Sequence, residues 1–135
     1  MKNLPIFALF LTISFTCVAQ AEVSVITHPS NGNSLSKADI TAIFLGKKKA
    51  FPDGSSAIVL VLNDATTDEF NTKLLGKSSS QLKSYWSKLV FTGKANPPKP
   101  VSPATMLELI KGNPNMIGFV DSSSVSDGVS VAGKF

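Results

Sequence analysis

Arginine does not occur in this chain, and histidine, cysteine, tryptophan and tyrosine occur once each. Without arginine, bidentate recognition of phosphate or carboxylate is excluded, because lysine offers only a mobile point charge. A single cysteine, Cys17, leaves no disulfide within the chain and no cysteine-based zinc site. With one histidine, only oxygen ligands remain for a metal, and the acids do not follow a calcium-loop spacing. No metal and no cofactor is therefore expected. A phosphate-binding P-loop and a Gly-x-Ser-x-Gly elbow are also missing. His28 stands beside Pro29 with no assignable acidic partner, so the chain reads as a non-enzyme.

What is present begins with a leader. Lys2 precedes an apolar run from Leu4 to Phe15, and Ala19-Gln20-Ala21 is a small-x-small cleavage site. Residues 1–21 thus read as a signal peptide and Glu22 as the first mature residue, with export to the periplasm. The run is too short for a permanent membrane helix, so no stable membrane insertion is expected after cleavage. Cys17 lies in this segment, leaving 135 − 21 = 114 residues without cysteine. A disulfide-free exported domain must rest on its hydrophobic core, and residues 22–135 suffice for one compact domain. Twelve lysines against nine acids give this part a charge of +3 (13 − 1 − 9). The lysines are scattered apart from Lys47–Lys49, so nucleic acid is not an expected partner. That cluster suits a solvated helix terminus or a partner-docking patch.

The best-punctuated stretch is SKADITAIFLGKKKAFPDG, residues 36–54. Ser36 caps a helix, Asp39 sits at its third position, and Ile40, Ile43 and Phe44 make an apolar stripe. Gly46 supplies the left-handed stop. Before it, Glu22 to Thr27 alternates as a first strand, followed by a polar loop, His28 to Ser34. After it, Ile58 to Leu62 is a continuous apolar run that suits a strand buried on both faces. Thr66, with Glu69 three residues on, forms a second capping box for a helix carrying Phe70, Leu74 and Leu75 and stopped by Gly76. Ser78 or Ser79 caps a third helix with Leu82, Trp86, Leu89 and Val90 on one face. Thr92 to Pro100 is an irregular connector, Ala104 to Lys111 a short helix, Met116 to Val120 a strand, and Val129 to Ala132 a weak last strand. Phe44, Phe51, Phe70, Trp86, Phe91 and Phe119 are expected in the core. This order predicts an α/β lobe with a mostly parallel central sheet flanked by helices.

Open α/β sheets bind ligands at the carboxyl ends of their strands. Three hydroxyl- and amide-rich loops are expected there: 28–34, 63–67 and 121–124. Ser30, Asn31, Ser34, Thr66, Thr67 and Ser122 are the candidate ligand-binding residues.

LSKADITAIFLGKKKAFPDG (35–54), the strand at 58–62 and NPNMIGFV (113–120) together resemble the phosphate-binding proteins of bacterial ABC importers. The likeness spans residues 23–121. In that family a helix ending Ile-Phe-Leu-Gly-Lys precedes a Trp-x-Asp-Gly turn, and a Pro-Gly-Ala-Ile-Gly-Tyr-Val strand follows. Phe51 stands in place of that tryptophan and Phe119 in place of the tyrosine. The resemblance implies a periplasmic-binding-protein-like lobe that takes a small solute or oxyanion, where family members clamp the anion between two lobes. A homodimer is one way to rebuild such a cleft. The family's phosphate loop, Arg-x-x-x-Ser-Gly-Thr, carries over only at Thr66: Asp64 and Ala65 fall on the serine and glycine, and Leu60 near the arginine. The alternative is a ligand-free module docking to an envelope transporter, sensor or porin.

Overall fold

Residues 22–135 are described in the computed structural model; residues 1–21, read above as a leader with Cys17 and a cleavage site, lie outside them. The elements are β1 (Val23–Thr27), α1 (Lys37–Phe44), β2 (Ile58–Leu62), α2 (Thr66–Phe70) running into a π-helical turn (Asn71–Leu75), α3 (Ser79–Phe91), β3 (Lys99–Val101), α4 (Pro103–Gly112), β4 (Met116–Asp121) and β5 (Ser130–Lys134). A 3-10 turn, Ser122–Ser124, links the last two strands. The strand order is β3-β2-β4-β1-β5. β2 runs parallel to β3 and β4, while β1 pairs antiparallel with both β4 and β5. Four strands therefore point one way, as expected for a mostly parallel sheet, and β1 alone runs against them.

The local signals explain the elements. Ser36 Oγ accepts the Asp39 N–H at 3.1 Å and the Asp39 carboxylate accepts the Ser36 N–H at 3.1 Å, so α1 opens on a capping box. Gly46, at φ +73°, ends it. α3 opens the same way, on Ser78 and Gln81. Pro100 lies in β3, an edge strand, where its missing N–H costs no ladder bond.

Phe119 looks out from the middle of the sheet onto α1 and α2. Its ring stacks on Phe70 with centroids 4.0 Å apart, and Phe44 closes the trio at 4.6 Å from Phe70. On the other face Met106 and Ile110 of α4 press on Gly118, where even a Cβ would sit 2.6 Å from the Met106 sulfur. β1 is buried along its whole length, Ser24 and Thr27 included. Ser24 is satisfied by a 2.7 Å hydroxyl contact with Ser122.

Three expectations are corrected. Phe91 is 93% exposed rather than in the core, and Trp86, also expected there, is only half-buried and outside it. Phe91 lies nine residues beyond buried Leu82, about 180° round the helix. Val90 is also exposed; α3 meets the rest of the fold through buried Leu82, through Trp86 beside Gly46, through the Ser79 hydroxyl on Asp68, and through the Tyr85 hydroxyl, which donates to the Leu45 carbonyl at 2.7 Å. β2 is not fully covered on both faces either: on one face Leu60 and Leu62 are buried but Ile58 is exposed, and on the other Val59 and Val61 are only half-buried. Thr66 does not cap α2. The cap position is Ala65, and the Thr66 N–H donates instead to Asp64 Oδ1 at 2.9 Å.

Carboxylates tie the loops together. Asp53 accepts the Ser55 hydroxyl at 2.6 Å and N–H at 2.9 Å, and its second oxygen accepts the Asn33 amide at 3.1 Å. The Ser55 hydroxyl and N–H, then Asn33, hold the Asp53 carboxyl below its ordinary range. The Lys48 ammonium and then Ser36 do the same for Asp39, and the Ser123 hydroxyl and N–H for Asp121. A group whose folded pKa is depressed stabilises the fold above its unfolded pKa and loses that contribution as pH falls through the folded value. The urea midpoint is therefore expected to hold steady above about pH 5 and to decline below it. Asp53→Asn should flatten that decline, which urea titrations at several pH values will measure.

Candidate functional site

The direction of β1 decides which loops meet. β2 and β4 deliver Asn63–Thr67 and Ser122–Ser124 to the carboxyl edge of the sheet. Because β1 opposes them, with Thr27 level with Ile117 near the start of β4, loop 28–34 leaves at the opposite edge. There the Asn31 amide reaches the Pro114 carbonyl at 3.5 Å. The six candidate residues thus fall into two groups: Thr66, Thr67 and Ser122 at one edge, and Ser30, Asn31 and Ser34 at the other. The expectation of a single three-loop rim is corrected. Strand alternation in EVSVIT carries no sign of chain direction, so the sequence held no signal for it.

At the carboxyl edge several hydroxyls are already committed. Thr67 Oγ1 donates to the Leu62 carbonyl at 2.5 Å, and Ser122 shares its contact with Ser24. Asp64 fills the start of α2, while Asp68 accepts from Ser79 Oγ at 2.6 Å and Glu69 sits one residue further on. Asp121 borders the same edge as a firmly ionised carboxylate. An oxyanion placed here would meet four carboxylates, against the charge of Lys73 that reaches Asp121, and no arginine.

At the opposite edge the Ser30 hydroxyl meets His28 Nδ1 at 2.6 Å, and the same nitrogen accepts the Ser30 N–H at 3.0 Å. This is a turn closed on itself two residues apart. Among the described residues no carboxylate hydrogen-bonds to the imidazole, so the pair has no orienting third group.

A further concavity, about 400 Å³, lies beside the first half of β2. It is bounded by Gly46, Lys48 and Lys49 after α1, by Trp86 of α3, by Lys94 in the connector, and by Lys99 at the start of β3. Sequence reading singled out Lys47–Lys49 but not Lys94 or Lys99, which only the fold brings near them.

The architecture is a single α/β lobe, a five-stranded, mostly parallel sheet flanked by helices. No protein-family model matches the chain, and no curated protein matches it. Among solved structures it is similar to a Clostridium perfringens protein described as a phosphate ABC transporter substrate-binding protein, solved with phosphate bound (TM-score 0.62, 24% identity). It is also similar to an ABC-type phosphate transport receptor of Vibrio cholerae (0.63, 16%) and to PstS of Borrelia burgdorferi (0.58, 13%). Each match covers 82% of this chain but only 44%, 46% and 47% of the respective neighbour, so the chain spans less than half the length of these proteins.

Proposed function

We propose that this is an exported, periplasmic solute-binding-like protein related to phosphate importers' binding proteins, and not an enzyme. The observation that carries the reading is the likeness of its lobe to half of three phosphate-transport proteins. The leader-like first 21 residues support export, and no described helix is long and apolar enough to cross a membrane. The proposed contacts at the carboxyl edge are Thr66, Thr67 and Ser122, with Ser30, Asn31 and Ser34 a separate polar group. Four carboxylates at the carboxyl edge favour a small uncharged solute that donates hydrogen bonds over phosphate. Thermal-shift titration with phosphate and a panel of polyols tests this. At a hundredfold excess over Kd a binder should add about 2.7 kcal/mol, and Thr66→Val should abolish the gain. A panel without any shift would overturn the reading.

A second reading is docking to an envelope transporter, sensor or porin. It is favoured by the exposed Phe91 and Val90, which share an apolar groove with Trp86 and Pro97. Exposed aromatic clusters of this kind anchor protein interfaces. Loss of a captured envelope protein on Phe91→Glu, with the fold unchanged, would support it.

A further inference from the structure

From the lysine-lined cleft beside β2 we infer a second binding site, one that takes a small organic anion with an apolar body and at least two acidic groups. This inference does not rest on the solute reading above. The cleft's size falls within the range of small-molecule sites. Four separate parts of the chain build it: the end of α1 with the turn after it, Ala57 and Val59 at the start of β2, Trp86 of α3, and residues 93–99.

The cleft carries a surplus of positive charge. Lys48, Lys49, Lys94 and Lys99 line it, and no carboxylate does. Lys48 is neutralised by Asp39 at 2.9 Å; among the described residues Lys49, Lys94 and Lys99 have no ion pair. The plain alternative is that these ammoniums serve the negative ends of α1 and α3, which both terminate here. Backbone groups already do that work. The N–H groups of Gly46, Lys47 and Lys48 bond the carbonyls of Ile43 and Ala42, and those of Gly93 and Lys94 bond Val90 and Leu89. Even if each helix end counts as roughly −0.5 charge, three unpaired lysines leave a net charge of about +2. These lysines lie around one cleft, where their fields add.

The apolar half of the specificity comes from Trp86, Ile43, Phe44, Val59 and Pro97, which line the same space. Lysines without a guanidinium fork hold anions by charge rather than by bidentate geometry. Two or more acidic groups are therefore needed for useful affinity, and binding must weaken with salt.

Trp86 is the chain's single tryptophan, so its indole N–H gives one reporter resonance. The test is nitrogen–proton correlation NMR on the protein titrated with benzene-1,3,5-tricarboxylate, benzene-1,3,5-trimethanol and citrate. The tricarboxylate should shift the indole signal and amides of residues 46–49 and 93–99, saturably and less strongly at high salt. Citrate should bind several-fold more weakly, and the neutral triol should leave the indole signal and these amides unchanged. Lys49→Gln, Lys94→Gln and Lys99→Gln combined should weaken the tricarboxylate tenfold or more without altering thermal unfolding. No shift, or affinity unchanged in the triple variant, would overturn the site. Citrate binding as tightly as the tricarboxylate would overturn the apolar requirement. Tricarboxylate shifts confined to Thr66, Thr67 and Ser122 would also sink it, whereas triol shifts there would support the carboxyl-edge reading.

Discussion

Phe119→Ala is expected to destabilise the fold by about 3–5 kcal/mol, enough to remove a large part of the margin of a domain this size. Phe119 is fully buried in a strand flanked on both sides, and its ring lies nearly flat against Phe70, at 2° between planes. Truncation removes a large apolar area and leaves a void that Phe44, Phe70 and the sheet cannot close without moving α1 and α2. Urea unfolding should show a lower midpoint with the slope retained, and a Tm lower by about 10–20 °C. Phe91→Ala is the internal control. That ring is almost wholly in solvent, so its removal should change stability by no more than about 0.5 kcal/mol. Equal losses from the two substitutions would contradict the packing described above.

Gly46→Val should have the next largest effect, about 2–4 kcal/mol from two additive sources. The residue holds φ +73°, which a β-branched side chain adopts only under strain. A Cβ at this position also meets the Trp86 ring at 3.2 Å, and the valine methyls would drive that ring away. Gly46→Asn separates the two causes, since asparagine tolerates the left-handed backbone. Asparagine is therefore expected to cost clearly less than valine. Unfolding midpoints give the energies, and the emission maximum of the lone tryptophan reports whether Trp86 has been displaced toward water.

The elements that were legible in the sequence are those whose cause is local. Ser36 with Asp39, Ser78 with Gln81, and the stops at Gly46 and Gly76 involve residues a few positions apart, and each stands where its chemistry required. The misreadings share a different origin. Val90 and Phe91 look like core by composition, but their exposure depends on how α3 is hung on α1, which no local pattern encodes. Pro100 argued against a strand, yet an edge position accepts it. Thr66 lost the capping role because the helix begins one residue earlier than its capping pattern implies, so Thr66 is the first helical residue and its own N–H is taken by Asp64. For the candidate site, the polar loops were visible as loops, while their separation to two edges follows from the reversed β1. The lysine-lined cleft was hidden for the same reason, since Lys48 and Lys99 are neighbours only through the course of the chain between them.

The placement of β1 also sets an order of events in folding. Its partners are residues 117–121 and 130–134, and Val23 exchanges both backbone hydrogen bonds with Phe135, at 2.8 and 2.9 Å. A chain made or threaded across a membrane from its amino end therefore carries Val23–Thr27 without ladder partners until residues 117–134 have emerged. Loop closure over such separations is slow, so the sheet's inner strand is the earliest made and among the latest to dock. During that interval VSVIT is an unpaired β-forming segment, which a chaperone or rapid closure by β4 and β5 must shield.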